Sequence, residues 1–576
     1  MRLTALVLGV ALGLPMMATA SFAAGAADCS ETSGAVTVPA CDAAIRASPK
    51  SALFYMLRGD AYQGENNPER ALADYSKAIE LDPKLSAAYS RRGVLYRSHS
   101  DLVRAMADFD VLQTLAPKDP NLKFDRGLTY YLQGDNVKAI ADLKEAALAQ
   151  PDNAKVQYFL SSAFLDAGQS ENAISSGNKA ISLDPNYADG FSARGFAYFS
   201  SGDSKAAVSD FSRAIALAPN LVAAIFGRGL ANEALANDAK AIADFDQAIS
   251  IDASYAAAHF ARARLYTYKN DSKTALASFT KAISLAPKRG DYYAARGREY
   301  ERINDAARAL PDCDKAVELA PKAAEGYECR GLALGKKQDF AGAVRDLSRV
   351  LEIGAATSRI LRVRALAYAE LGDAAKAKAD IDRAIALEPK APWNFVDRAR
   401  MHLLAGETAL AFADFDRAVV LGPDDGMMYL SRANAKFDSG DYASAIADYS
   451  DALQRHALNA DHDAYILLMR HLDLAHMGRS ATGELERAAG ALASKKWPYA
   501  VVELYLGKRS PAATLKAASA PDEVCEAHYY IGQWHLLQAD KTKAAKELKV
   551  AAATCPHEFI EYRSALGELK RLGQKP

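Results

Sequence analysis

Counted from Gly59 in steps of 34 residues, a small residue recurs twelve times without a break: Gly59, Gly93, Gly127, Ser161, Gly195, Gly229, Ala263, Gly297, Gly331, Ala365, Ala399 and Ala433. Twelve residues after each comes alanine, from Ala71 and Ala105 through to Ala411 and Ala445. Side chains this small let a neighbouring helix approach closely, so the two columns mark where paired helices cross. Bulky residues at Tyr75, Phe109, Phe211, Phe245, Phe279, Phe415 and Tyr449 fill the space beside them. Gly134-Asp135, Gly202-Asp203, Gly372-Asp373 and Gly440-Asp441 supply a left-handed helix stop followed by a capping carboxylate. Prolines such as Pro83, Pro117, Pro185 and Pro423 close most units. A unit of this size cannot bury its own apolar face and must stack on the next. The period therefore replaces the four or so domains that about 150 residues each would suggest for this length.

Small, Tyr, Ala, aromatic, Ala and Pro at Gly59, Tyr62, Ala71, Tyr75, Ala78 and Pro83 resemble the tetratricopeptide repeat. The resemblance implies an all-α fold, a tetratricopeptide-repeat solenoid wound as a right-handed superhelix of helix-turn-helix units around a concave groove. Twelve units occupy 52–457. Residues 27–50 read as an N-terminal cap with half a repeat, since Cys41, Ala44 and Pro49 match the end of a unit. A degenerate helical segment covers 458–524. A further unit follows over 525–557, marked by Gly532, Ala544, Leu548 and Ala551, and 558–576 holds a capping helix.

Arg2, the apolar run Leu3 to Leu14, Pro15 and the small-residue sites near Ala20 and Ala23 read as a signal peptide over 1–23, cleaved between 20 and 27. No second apolar segment of spanning length follows, so no stable membrane insertion is expected. Asp28 before Cys29 argues against acylation there. The expected location is periplasmic. In an oxidising compartment Cys29 and Cys41 are expected to pair, as are Cys525 and Cys555 at the open end of one hairpin. Cys313 and Cys329, on consecutive helices, fit a bridge or two buried thiols equally. Seventy Lys and Arg balance 71 Asp and Glu, which leaves no basic field for nucleic acid.

Arg precedes the small residue in eleven of twelve units, and Asp stands sixteen residues later in ten, as in Arg58 with Asp74 and Arg432 with Asp448. The fourth unit loses both at once, carrying Leu160 and Ser176. That co-occurrence predicts an ion pair between the two helices of each hairpin, fixing register. Arg262 faces Ser278 instead, which would leave that arginine free for another partner.

In the resembled family the groove is lined by the first helix of each unit, at five positions around the small residue. In repeats three to seven those positions hold Phe124, Tyr131, Tyr158, Phe196, Phe199, Phe226, Phe260 and Tyr268. From repeat seven to eleven they turn basic with Arg264, Arg298, Arg302, Arg359, Arg362 and Arg400. Aromatics and arginine are frequent interface hot spots, so the expected ligand is a protein or peptide with apolar anchors and acidic groups. The competing reading packs the rings between helices and pairs the arginines with Glu301, Asp291 and Glu325.

Between 459 and 524 a catalytic module would need a non-helical pattern, yet the Ala/Leu spacing is helical. His471 and His476 lie about 140° apart around a helix and cannot share an ion; His456 and His462 complete that cluster. No P-loop, nucleophile elbow or dinucleotide turn is present, so neither catalysis nor any metal or cofactor is expected. Tyr505 to Pro511, Cys525 to Leu537 and His557 to Leu569 resemble the C-terminal end of NlpI-type repeat proteins of the bacterial envelope. That resemblance implies an adaptor linking peptidoglycan hydrolases or a protease. The alternative is a structural solenoid that self-associates or binds envelope polymers.

Overall fold

The computed structural model describes residues 29, 36–455, 463–479, 482–492, 495–556 and 559–575. The segment 1–23 expected to be an export signal, and His456, His462, His557 and Glu558, lie outside the described residues. The chain divides into two compact units, one up to Tyr292 and one from Tyr293.

Both units are stacks of helical hairpins. Repeat one pairs Ala52–Gly64 with Pro68–Leu81, and repeat twelve pairs Gly426–Ser439 with Tyr442–Gln454. The small-residue column is set by contact. A Cβ placed on Gly59 would stand 2.6 Å from the ring of Tyr75, and one on Gly229 would stand 2.5 Å from Phe245. The alanines twelve residues on are fully buried, which lets the partner helix close over them. Gly134 and Gly440 take the left-handed conformation, and Asp135 and Asp441 then cap the next helix by accepting the backbone N–H of Lys138 and Ser444.

All ten Arg–Asp couples close. Arg58 donates from Nε and Nη2 to the two oxygens of Asp74 at 2.7 and 2.8 Å. The same fork joins Arg92 to Asp108, Arg126 to Asp142, Arg194 to Asp210, Arg228 to Asp244 and Arg296 to Asp312. It recurs at Arg330 with Asp346, Arg364 with Asp380, Arg398 with Asp414 and Arg432 with Asp448. Arg58 also donates from Nη1 to Asp42 at 2.6 Å, Arg330 to Asp314 at 2.9 Å and Arg432 to Asp416 at 2.6 Å. Ser76, Asn178 and Ser348 accept in the same way from Arg92, Arg194 and Arg364. These acceptors sit sixteen residues before the arginine, on the helix that precedes its hairpin, so one guanidinium joins three helices. Aromatic rings flank it, with Tyr89 and Tyr96 both 5.9 Å from Arg92. Arg262 is not free: Asp246 holds its Nη1 at 2.7 Å and Ser278 its Nε at 3.3 Å. The expectation failed because it looked only forward along the chain.

Cys29 is bonded to Cys41, Cys525 to Cys555 and Cys313 to Cys329. The last pair settles the open alternative. Cys313, in Ala306–Leu319, occupies the column that holds a ring elsewhere, and Cys329 lies on the next helix, Ala324–Lys336. A Cβ on Gly297 would meet the two sulfurs at 2.9 and 2.6 Å, so the bond fills the volume of the missing ring.

Beyond repeat twelve come Asp463–His476, Thr482–Ala491, Tyr499–Tyr505 and Pro511–Ala517. A hairpin of Pro521–Leu537 and Lys541–Thr554 follows, then the closing helix Ile560–Arg571. These elements share one core with repeat twelve, built on Tyr449, Leu472, Tyr505, Tyr529, Tyr530 and Leu548. No helix among the described residues is long and apolar enough to cross a membrane.

The two kinds of bond made by each guanidinium should differ in worth. Asp346 keeps only 3% of its side-chain exposure, whereas Asp314 keeps 59%. Asp346→Ala strands a partly buried charge and should cost about 3 kcal/mol in urea unfolding. Asp314→Ala should cost about 0.5 kcal/mol.

Candidate functional site

In the first unit the aromatic positions separate into two groups. Tyr131, Tyr158 and Phe226 are buried, which corrects their reading as accessible groove floor. Tyr158 packs edge-on against Phe159 at 4.7 Å and Tyr187 at 5.8 Å, and Phe226 against Tyr255 at 5.3 Å. Tyr187 and Tyr255 stand at the start of the following first helix, so these rings fill the seam between successive hairpins. Phe124, Phe196, Phe199 and Phe260 remain half-buried, and Tyr268 is 72% exposed. Phe260 stacks on Tyr292 at 4.4 Å.

Two carboxylates that the sequence reading missed border these rings. Asp166 lies beside Tyr131, and its Oδ2 has neither solvent nor a partner. Asp189 lies beside Tyr158 and Tyr187. Among the described residues neither forms an ion pair. Burial raises the pKa of both, and for Asp189 the charge of Lys155 partly offsets this. Both hold family groove positions, so a reading of every such position, rather than only aromatics and arginines, could have found them.

The arginines are held by the protein's own carboxylates. Arg264 pairs with Glu233 at 2.9 Å in the first unit. In the second, Arg302 pairs with Glu299 at 2.7 Å and Arg298 with Glu328 at 3.5 Å. Arg359 reaches Glu301 at 3.6 Å and Glu328 at 3.9 Å. Arg362 and Arg400 both turn to Asp397, at 2.6 and 3.3 Å. Glu328 takes the part foreseen for Glu325, and Asp291 binds Arg289. Arg264, Arg298, Arg302 and Arg359 of the expected arginine-lined stretch thus each have a carboxylate partner within the protein, as the competing reading has it. His471 faces Tyr505, and His476 stacks on Tyr442 at 4.7 Å with Nε2 3.3 Å from Gln533.

The repeats match tetratricopeptide-repeat family models at 52–85, 161–202, 188–221, 256–289, 290–322 and 364–426. The chain is a tetratricopeptide-repeat protein, a class that points to a scaffold for protein–protein interaction. Among solved structures it is similar to YrrB, described as a TPR protein with an unusual peptide-binding site. That match has 23% identity and a TM-score of 0.30, and covers 33% of this chain and 97% of the other. It is also similar to a tetratricopeptide repeat protein from Parabacteroides merdae, at 19% identity and TM-score 0.37, covering 43% and 98%. A thermophilic TPR protein of Thermus thermophilus matches at 23% identity and TM-score 0.29, covering 31% and 98%.

Where the closing helix meets repeat twelve, burial acts on several acids. Ser564 and Arg571 of that helix donate to the carboxylate and the carbonyl oxygen of Asp438. Tyr530 donates to Glu561 at 3.0 Å, and Tyr465 and Trp497 converge on Glu526 at 2.8 and 2.7 Å. Asp473 is fully buried and neither of its oxygens has a partner. Desolvation pushes Asp438 up to about 6 and both Asp473 and Glu561 up to about 8. Folded pKa values above the ordinary carboxylate range mean that the folded state binds more protons. The stabilisation is complete below about pH 4 and is lost as pH rises through 6 to 8. The thermal midpoint of the second unit should be roughly 5 °C lower at pH 9 than at pH 5. Asp473→Asn should reduce that difference, as read by circular dichroism.

Proposed function

We propose that the protein is a non-catalytic periplasmic scaffold that binds a peptide segment of a partner protein on the first-helix face of repeats three to seven. The observation that carries this reading is the strip of half-buried rings, Phe124, Phe196, Phe199 and Phe260, bordered by two carboxylates that form no ion pair among the described residues. Rings with open edges and faces take apolar anchors. Unpaired carboxylates beside aromatic faces favour a lysine or arginine, which gains both ion pairing and cation–π attraction. The ligand is therefore apolar and cationic rather than acidic. Export is supported by the charged start and apolar run at the N-terminus and by three cysteine pairs in one chain. The tail's likeness to NlpI-type adaptors supports envelope partners, with peptidoglycan hydrolases or a protease as the candidates.

The test uses two fluorescent peptide pools with the same Leu and Phe anchors, one carrying lysine and the other glutamate. The lysine pool should bind at least about tenfold more tightly, a difference of about 1.4 kcal/mol, and Asp189→Lys should abolish the preference. Equal binding of both pools, or a preference unchanged in the variant, would refute the placement.

A further inference from the structure

The second unit holds an arrangement that peptide binding on repeats three to seven does not use. Arg362 lies on Ser358–Glu370, the first helix of repeat ten, and Arg400 on Pro392–Leu404, that of repeat eleven. Both depend on one carboxylate. Asp397, with 2% side-chain exposure, accepts Nε of Arg362 at 2.6 Å through one oxygen and Nη1 of Arg400 at 3.3 Å through the other. The first helices of repeats ten, eleven and twelve are neighbours, and the closing helix lies against that of repeat twelve. The bonds of Ser564 and Arg571 to Asp438 fix its seating there.

This seating brings in a third guanidinium, Arg563. Its Nε has neither solvent nor a hydrogen-bond partner. Two acids attract it without bonding to it: Asp438, occupied by Ser564, and Glu561, occupied by Tyr530. Arg563 and Arg362 both repel Arg400. Desolvation works in the same direction on Arg400 and lowers its pKa, while 35% of its side chain stays exposed. Arg362 and Arg400 thus share one bonded carboxylate, and Arg563, which acts on Arg400, keeps a buried donor unused. Guanidiniums in this condition are completed by an anion with several oxygens, which can accept from more than one fork at once.

We propose that Arg362, Arg400 and Arg563 form a site for a small oxyanion, a phosphate or carboxylate group, that locks the closing helix Ile560–Arg571 onto the first-helix face of repeats ten to twelve. The anion supplies the acceptors that Asp397 alone cannot. Its binding couples the C-terminal helix to the repeat array, because the site is incomplete when that helix lifts away. The group comes either from a free ion or from the end of a larger ligand, and the chemistry of recognition is the same.

The test is hydrogen exchange on the full chain in inorganic phosphate or acetate, against chloride at matched ionic strength. At about 10 mM, exchange in 560–571 should slow about tenfold in at least one of the two anions if the dissociation constant is about 1 mM. A response to phosphate alone assigns a phosphoryl group, and a response to acetate alone assigns a carboxylate. Arg563→Gln should remove the response while leaving the circular dichroism spectrum intact, and Arg563→Lys should restore part of it. Salt effects on burial act equally on all variants. An equal response in the wild type and Arg563→Gln, or no response to either anion, would overturn the proposal.

Discussion

A guanidinium that recurs in eleven of the twelve repeats, bonded forward within its own hairpin and in most of them also backward to the one before, sets the geometry on which the rest of the structure depends. A hairpin of two short helices buries too little to fold alone, so each repeat needs a contact that specifies how it meets its neighbour. The Arg–Asp fork fixes the two helices of a repeat in register. The third nitrogen, reaching Asp42, Asp314 or Asp416, fixes the repeat against the preceding helix. Apolar columns alone would tolerate sliding, whereas a planar fork with defined acceptors does not. Repeat four, with Leu160 and Ser176, lacks the fork and instead packs Phe159, Leu160, Ala163 and Phe164 into one apolar cluster.

Most of the fold was legible because it repeats. The glycine and alanine columns, the turn chemistry and all ten Arg–Asp couples follow from residue spacing, and each corresponds to a contact. The backward acceptors were not legible because their column mixes Asp, Ser and Asn, three residue types that share only an oxygen. The bond between Cys313 and Cys329 was undecided because sequence separation does not report which helix faces meet. Its signal is that Cys313 replaces a ring beside Gly297, where something of that volume is required.

The candidate face was read less well, for a different reason. Family position indicates which residues point along a face, but not what else points there. Tyr131, Tyr158 and Phe226 occupy lining positions and still bury themselves, because Phe159, Tyr187 and Tyr255 respectively arrive from the next hairpin. Arg264, Arg298 and Arg359 meet acids one or two repeats away, and Arg302 meets Glu299 on its own helix, so the basic positions already have partners within the protein. The tail conceals most, since nothing in the spacing of Ile560–Arg571 announces that it will lie on repeat twelve.

The disulfide between repeats eight and nine has a mechanical consequence. A stack of hairpins pulled along its axis gives way one hairpin at a time, each releasing its full contour of 34 residues. The bond closes a loop of sequence separation 16 that spans the junction between two hairpins. Extension there is shortened by that loop, and the boundary cannot part while the sulfurs are joined. Peeling that reaches this junction within the second unit would therefore release a contour shorter by that loop, and the missing length would appear only when the bond is reduced.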